Sequence, residues 1–363
     1  MRNICNISID LSTTFIIFVQ TQTNKPMKTT LDTIAKKTGF SKSTISRVLN
    51  GKAKSSRIPK QTVDTIMKEA KECGYTPNLI AKNLRSNKTN TIALLIPSIA
   101  NQYFSDIAGV VISEARKLGY TTVVADTMED KHTQDTAVAT MLSRMVDGLI
   151  IVPCGCDSTF LEQTNEKCIP IIQIDRYYEN SPLPYVVTNN YKGGYDATKL
   201  LIRNGHQRIA CIQGPPTATP NKKRIEGYIE ALKDAGLEGN ARIVGDEFSI
   251  QNGYLETKLL LQDNDRPTAI FALSNTIGLG AIKAIREAHL KIPDDISLIS
   301  FDNNIYLDYL TPSVTRIGQM VDEMGKMAVK LLNDSIVSQC PAKSQIELSP
   351  ELILRDSVVP LIR

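Results

Sequence analysis

Aromatic residues make up only 6% of this 363-residue chain, histidine occurs three times, and no apolar run is long enough to cross a membrane. Each scarcity excludes something. His132, His206 and His289 have no plausible nucleophile near them in the sequence. No G-x-G-x-x-G follows the first predicted strand, and no phosphate loop ends in Gly-Lys-Ser/Thr. An enzyme, a nucleotide-dependent one above all, is therefore not expected, and neither is a cofactor. The seven cysteines (5, 73, 154, 156, 168, 211 and 340) are odd in number and scattered, which argues against a disulfide framework and for a reducing cytoplasm. Cys154-Gly155-Cys156 has no second Cys or His pair beside it, so no metal site is expected. The opening stretch has an apolar patch, Phe15 to Val19, but only Arg2 as basic flank and no small-residue cleavage site, and makes a poor export signal. Because a well-formed domain begins at Met27, residues 1–26 are expected to be a disordered tail or to precede the true start.

What is present is an uneven charge. Residues 28–88 carry 14 Lys and Arg against 4 Asp and Glu, while the remainder of the chain after residue 88 is acidic. A basic head on an acidic body points to a polyanion as partner of the head. In that head, helices are predicted over Leu31–Lys37, Ser41–Leu49 and Pro59–Cys73. Thr30 and Ser41 stand where N-caps belong, Gly39 separates the first two helices, and Gly74 follows the third. Ile34, Ala35, Phe40, Ile45 and Val48 are spaced to pack two short helices across a tight turn, which leaves Lys42, Ser43, Ser46 and Arg47 facing outward. Short polar and basic side chains on such a face fit a major groove, and Arg47 is the strongest base-contact candidate because guanidinium pairs bidentately with guanine. Lys28, Lys36, Lys52, Lys54 and Arg57 would touch phosphates, positioning without specifying. The alternative is a basic three-helix bundle that binds a protein. After Pro77 come a short amphipathic piece, Asn78 to Arg85, and a polar stretch, Ser86 to Asn90, which read together as a hinge over 76–90.

From residue 91 to 359 the sequence is α/β. Strands are predicted at Ile92–Ile96, Thr122–Ala125, Gly148–Val152, Ile171–Ile174, Ile209–Gln213, Ile243–Gly245, Ala269–Leu273 and Ile296–Ser300. Helices are predicted at Phe104–Leu118, Thr133–Arg144, Gly193–Asn204, Arg224–Ala235, Asn252–Leu261, Ile277–His289 and Gln319–Leu332. So many βα units exceed one sheet. Two lobes dividing near Thr188 and Asn190 fit, with a ligand cleft at the carboxyl ends of the strands.

The motifs from Ile34-Ala35 through Ser41–Arg47, Asn50-Gly51 and Gly74–Asn78 resemble the LacI family of bacterial repressors. The resemblance continues through Ala81–Leu84, Asn101–Phe104, Ile174-Asp175-Arg176, Gly205–Gly214, Arg224 with Gly227-Tyr228, and Ile299–Asp302, from Met27 to Val359. The stretch Asn50–Arg57 is similar to the fructose and sucrose regulators within it. The resemblance implies a helix-turn-helix head, a hinge helix and a two-lobed periplasmic-binding-protein-like body. It implies DNA contacts from Thr30, Lys42, Ser43, Ser46, Arg47, Asn50 and Arg57, with Ala81 and Leu84 of a hinge helix at the minor groove, where an apolar wedge kinks the duplex. Leu84 packing onto the body is the alternative. The partners implied are a palindromic operator in double-stranded DNA, a second copy of the chain, with tetramers left open, and a sugar or sugar phosphate. The ligand would meet Tyr103, Phe104, Asp175, Arg176, Arg224, Asn275 and Asp302. Asp175 beside Arg176 reads equally as a structural pair, and Lys222-Lys223-Arg224 either as a phosphate site or as a solvated helix start. Thr276 stands where the family usually has an acidic residue, so the ligand is not set by the resemblance. A free-standing sugar receptor, the rival function, would have an export signal and no head.

Overall fold

Gly39 takes a left-handed φ of 73° at the end of α1 (Leu31–Thr38), so that the chain turns at once into α2 (Lys42–Leu49). A side chain there would be strained, which is why glycine stands at the turn. Ser41 caps α2 by accepting from the Thr44 amide at 3.2 Å. A third helix, α3 (Lys60–Glu72), follows Pro59 directly and ends before Gly74, whose φ is 58°. Ile34, Ile45, Val48, Ile66 and Ala70 form the buried centre of this bundle, with Ala35 and Phe40 packed against it. The spacing of apolar residues thus produces the packing read from the sequence. The structure is a computed structural model and describes residues 30–75, 88–166 and 169–361. The chain divides into two compact units, residues 1–82 and 83–363. Residues 1–26, Ala81, Leu84 and the amphipathic piece 78–85 lie outside the described residues.

The larger unit contains two six-stranded sheets, ordered β11-β5-β4-β3-β1-β2 and β12-β10-β9-β8-β6-β7. In the first lobe β1 (Thr91–Ile96), β2 (Thr121–Asp126), β3 (Gly148–Ile151), β4 (Ile171–Ile174) and β5 (Tyr185–Thr188) alternate with α4 (Gln102–Lys117), α5 (Lys131–Ser143) and α6 (Thr159–Glu166). In the second, α7 (Asn190–Arg203), β6 (Ile209–Ile212), α8 (Thr219–Asp234), β7 (Arg242–Val244), α9 (Ile250–Gln262), β8 (Ala269–Ala272), α10 (Asn275–Glu287), β9 (Ser297–Phe301) and β10 (Thr315–Gly318) follow. All strand pairs are parallel except β10 with β12. Strands buried on both faces read as runs of Ile, Leu, Val and Ala, as parallel sheets covered by helices require.

The division at Thr188 and Asn190 is one of three crossings between lobes. After β10 the chain returns to the first lobe, where α11 (Val321–Ser338) buries Met324, Ala328, Val329 and Leu332 in the same core as Ile92, Leu94 and Ile150. It then forms β11 (Gln345–Leu348) beside β5 and crosses again to β12 (Glu351–Ile353) beside β10. Among the described residues no helix is long and apolar enough to cross a membrane.

Candidate functional sites

On the head, Lys42, Ser43, Arg47 and Asn50 are exposed on α2 and at its end, while Ser46 is half-buried. Ile45 and Val48 of the same helix face the core, so the 3.6-residue period alone turns the polar side chains outward. Asn50 donates to the Ser46 carbonyl at 2.7 Å, which fixes the C-terminal end of the face. Lys42 is ion-paired with Asp32, and that carboxylate would compete with a phosphate for it. Thr30 and Arg57 are exposed too, Arg57 at a left-handed φ of 50°.

In the larger unit the candidate ligand residues come together at the carboxyl ends of the strands. Asp175 directly follows β4 and Asp302 directly follows β9, at φ of 66° and 77°, a strained region for residues with a side chain. Both are 4% exposed. Asp175 Oδ1 accepts from the Tyr103 hydroxyl at 2.6 Å. Asp302 Oδ2 accepts from the Asn275 amide at 3.1 Å, and its Oδ1 from Gln319 Nε2 at 2.7 Å. Arg224 donates from Nε to Asn190 Oδ1 at 2.7 Å and from Nη1 to the Leu273 carbonyl at 2.5 Å, with its guanidinium 3.5 Å from the Phe301 ring centroid. Glycine makes that position possible: a Cβ on Gly194 would lie 2.1 Å from the Arg224 carbonyl oxygen, so only glycine lets α7 reach α8 there.

Burial dominates the electrostatics. It pushes the Asp175 carboxyl up, against the opposing charges of Arg176 and Arg224 and the Tyr103 hydrogen bond. It pushes the Tyr103 hydroxyl far up, reinforced by Asp175 and Asp302. It lowers Arg224 from its ordinary value although Asp302 and Asp175 both favour the cation. Buried charges persist only with partners, and here the partners are one another.

Arg176 is spent elsewhere. Its guanidinium grips Glu129 bidentately at 2.7 and 2.8 Å and also lies 3.8 Å from Asp175. Burial works against its charge, and the Glu129 bonds more than reverse the effect. Phe104 is an element of the first lobe's core, edge-on to Tyr103 with ring centroids 5.3 Å apart. Asn275 is 2% exposed and takes the Thr276 amide on its own Oδ1 at 2.8 Å.

Several residues outside the expected ligand set belong to this region. Gln319 sits at the second crossing, and its Oε1 is buried without a partner. The strand before it, Thr315–Gly318, is not among those predicted, so the sequence offered no signal for it. Thr219 donates to the Tyr177 carbonyl at 2.6 Å, and Lys222 and Lys223 reach Glu179 at 3.8 and 3.6 Å, both from the second lobe to the first. These lysines thus pair with a carboxylate of the first lobe while remaining partly exposed. A cavity of about 100 Å³ lies beside them, lined by Arg176, Tyr177, Pro215 and Thr219 among others. Among the described residues no group of His, Cys, Asp and Glu is arranged to hold a metal ion.

A helix-turn-helix head followed by a two-lobed ligand-binding body defines a DNA-binding transcriptional regulator. Residues 30–78 match the bacterial regulatory proteins of the lacI family, and residues 198–358 match the periplasmic binding protein-like domain. The chain is 35% identical to the HTH-type transcriptional regulator DegA of Bacillus subtilis (strain 168), over 92% of this chain and 99% of that one. The chain belongs to the LacI family. A lac repressor dimer bound to operator and the anti-inducer ONPF superposes with a TM-score of 0.82 at 26% identity, covering 91% of this chain and 99% of that one. A LacI family regulator from Enterococcus faecium with bound ribose has a TM-score of 0.68 at 29% identity, over 75% of this chain and 100% of that one.

Proposed function

We propose that this regulator, as a homodimer, represses transcription from a palindromic operator and that a neutral sugar bound between its lobes controls its operator affinity. The observation that carries the ligand reading is the buried array of Tyr103, Asp175, Arg224, Asn275 and Asp302 at the carboxyl ends of two sheets. Paired carboxylates, an amide and a guanidinium are the acceptors and donors that sugar hydroxyls need. The cations that would favour a sugar phosphate are engaged: Arg176 with Glu129, Lys222 and Lys223 with Glu179. Arg224 faces two carboxylates, so the array carries no surplus of positive charge. The relative from Enterococcus faecium, which holds ribose, adds support from outside the chain.

In this reading Arg47 pairs with a base edge, with Ser43, Ser46 and Asn50 beside it. Thr30, Lys42 and Arg57 hold phosphates, and Ala81 and Leu84 act at the minor groove. The ligand works by preferring one lobe geometry over another, since only differential affinity shifts an equilibrium. In this reading the protein works in the cytoplasm, where its DNA partner would be, and its role is binding without catalysis.

Fluorescence anisotropy with DNA from upstream of the protein's own gene, titrated with and without a panel of sugars and sugar phosphates, tests the whole reading. Tight, salt-sensitive binding altered by one neutral sugar is the expected result. A response confined to a phosphorylated sugar would replace the ligand class, and no specific binding under any condition would overturn the regulator reading.

A further inference from the structure

A cavity of about 750 Å³ lies between the start of α4 and the second crossing, lined by Tyr103, Asp106, Asn304, Gln319, Lys326 and others. It shares Tyr103 and Gln319 with the ligand array, yet none of Asp175, Arg224, Asn275 and Asp302 lines it. Two features set its chemistry. Asp106, Asp322, Glu323 and Glu351 line it against a single cation, Lys326. Asn304 and Gln319, 2% and 5% exposed, each carry a carbonyl oxygen with no hydrogen-bond partner.

The acidic residues alone have a structural explanation, because Asp322 and Glu323 occupy the first turn of α11, where the helix favours negative charge. The orphaned amide oxygens do not. A buried acceptor without a donor is destabilising, and natural proteins keep few of them. The terminal torsion of Asn and Gln is soft, so a small rotation turns either oxygen toward a ligand. The cavity thus combines excess negative charge with two lining residues whose buried acceptors are unmet, and the complement is a molecule rich in N–H donors and positively charged.

We infer that this cavity is a second ligand site, separate from the sugar array, that takes an organic polyamine. Ammonium groups would pair with Asp322, Glu323 and Glu351 at the rim, and an N–H would satisfy Gln319 Oε1 or Asn304 Oδ1 at the wall. Because Gln319 also donates to Asp302, a polyamine that turns the Gln319 amide would be felt at the sugar array.

Isothermal titration of the full chain with spermidine, without DNA, tests the inference. Saturable binding of one spermidine per chain is expected, weakened by about tenfold in the double variant Asp322→Asn, Glu323→Gln, as loss of charged partners in a partly enclosed site implies. Glu238→Gln, an exposed acidic residue of the second lobe that does not line the cavity, should bind spermidine as the parent does, with circular dichroism showing that each variant is folded. No saturable binding overturns the inference. So does binding indifferent to the acidic substitutions, or binding abolished equally by magnesium chloride at matched ionic strength, which would be charge screening alone.

Discussion

Asp175 and Asp302 are counterparts: each is the first residue after the central run of its sheet, each has a left-handed backbone, and each is buried at the carboxyl end of a parallel strand. They differ in partners. Asp302 accepts two hydrogen bonds, from the Asn275 amide and Gln319, whereas Asp175 accepts one, from Tyr103. Burial leaves Asp175 with a raised pKa, and that has a measurable consequence.

A carboxyl whose folded pKa exceeds its unfolded value costs stability when ionised. Below the ordinary value of 3.8 both states are protonated and the cost is absent; it is fully present above the raised folded value. Asp175→Asn keeps an acceptor for Tyr103 and removes the charge. The ligand-free variant should therefore unfold at a higher temperature than the parent near neutral pH, with the gain shrinking as pH falls toward the ordinary value of 3.8, as linkage requires. Its ligand affinity should fall by about tenfold or more, equivalent to ~1.4 kcal/mol. Thermal melts at both pH values decide it, and a midpoint below the parent's at both would remove the argument.

Glu179 draws two lysines across the lobes. Exposed pairs are worth about 0–1 kcal/mol, so Glu179→Lys, which turns attraction into repulsion, should weaken the ligand by roughly threefold to tenfold. Operator affinity without ligand should shift by no more than the same factor, because the lobe equilibrium is what couples the two sites. Because these charges are half-exposed, high salt should narrow the difference between variant and parent. Calorimetry at low and high salt measures both effects, and an affinity equal to the parent's would show that the contact does not favour the closed form.

Arg47 and Lys52 separate specificity from affinity. Arg47→Ala should cost about 1–3 kcal/mol on the preferred operator and much less on unrelated DNA. Lys52→Ala should weaken both alike and reduce the salt slope by about one. Anisotropy titrations on two sequences at several salt concentrations make the distinction. Equal losses on both sequences for Arg47→Ala would move it to the phosphate contacts.

Much of this molecule was legible beforehand because its signals are local. Ile34, Ile45 and Val48 at helical spacing, Gly39 at a left-handed turn and Ser41 as a cap define the head without reference to anything distant. Central strands such as Ala269–Ala272, all apolar, also announce themselves. Strands of mixed composition did not. Tyr185–Thr188, Thr315–Gly318, Gln345–Leu348 and Glu351–Ile353 combine polar or charged residues with apolar ones over three or four positions, and the last two lie at sheet edges. Their strand character comes from a neighbour supplied by a distant part of the chain, and residue pattern cannot show that. The same holds for the site: Asp175, Arg224 and Asp302 follow recognisable strand or helix punctuation, while Gln319, Glu179 and Glu129 matter only through partners remote in sequence.

The three crossings between lobes also carry a mechanical meaning. Two bodies joined by one peptide tether can swing, twist and slide; joined by three near one another, after Thr188, Gly318 and Leu348, they retain little more than a single rotation. The lobes are thus a gate on a fixed axle, and a ligand between them can write only one bit, open or shut.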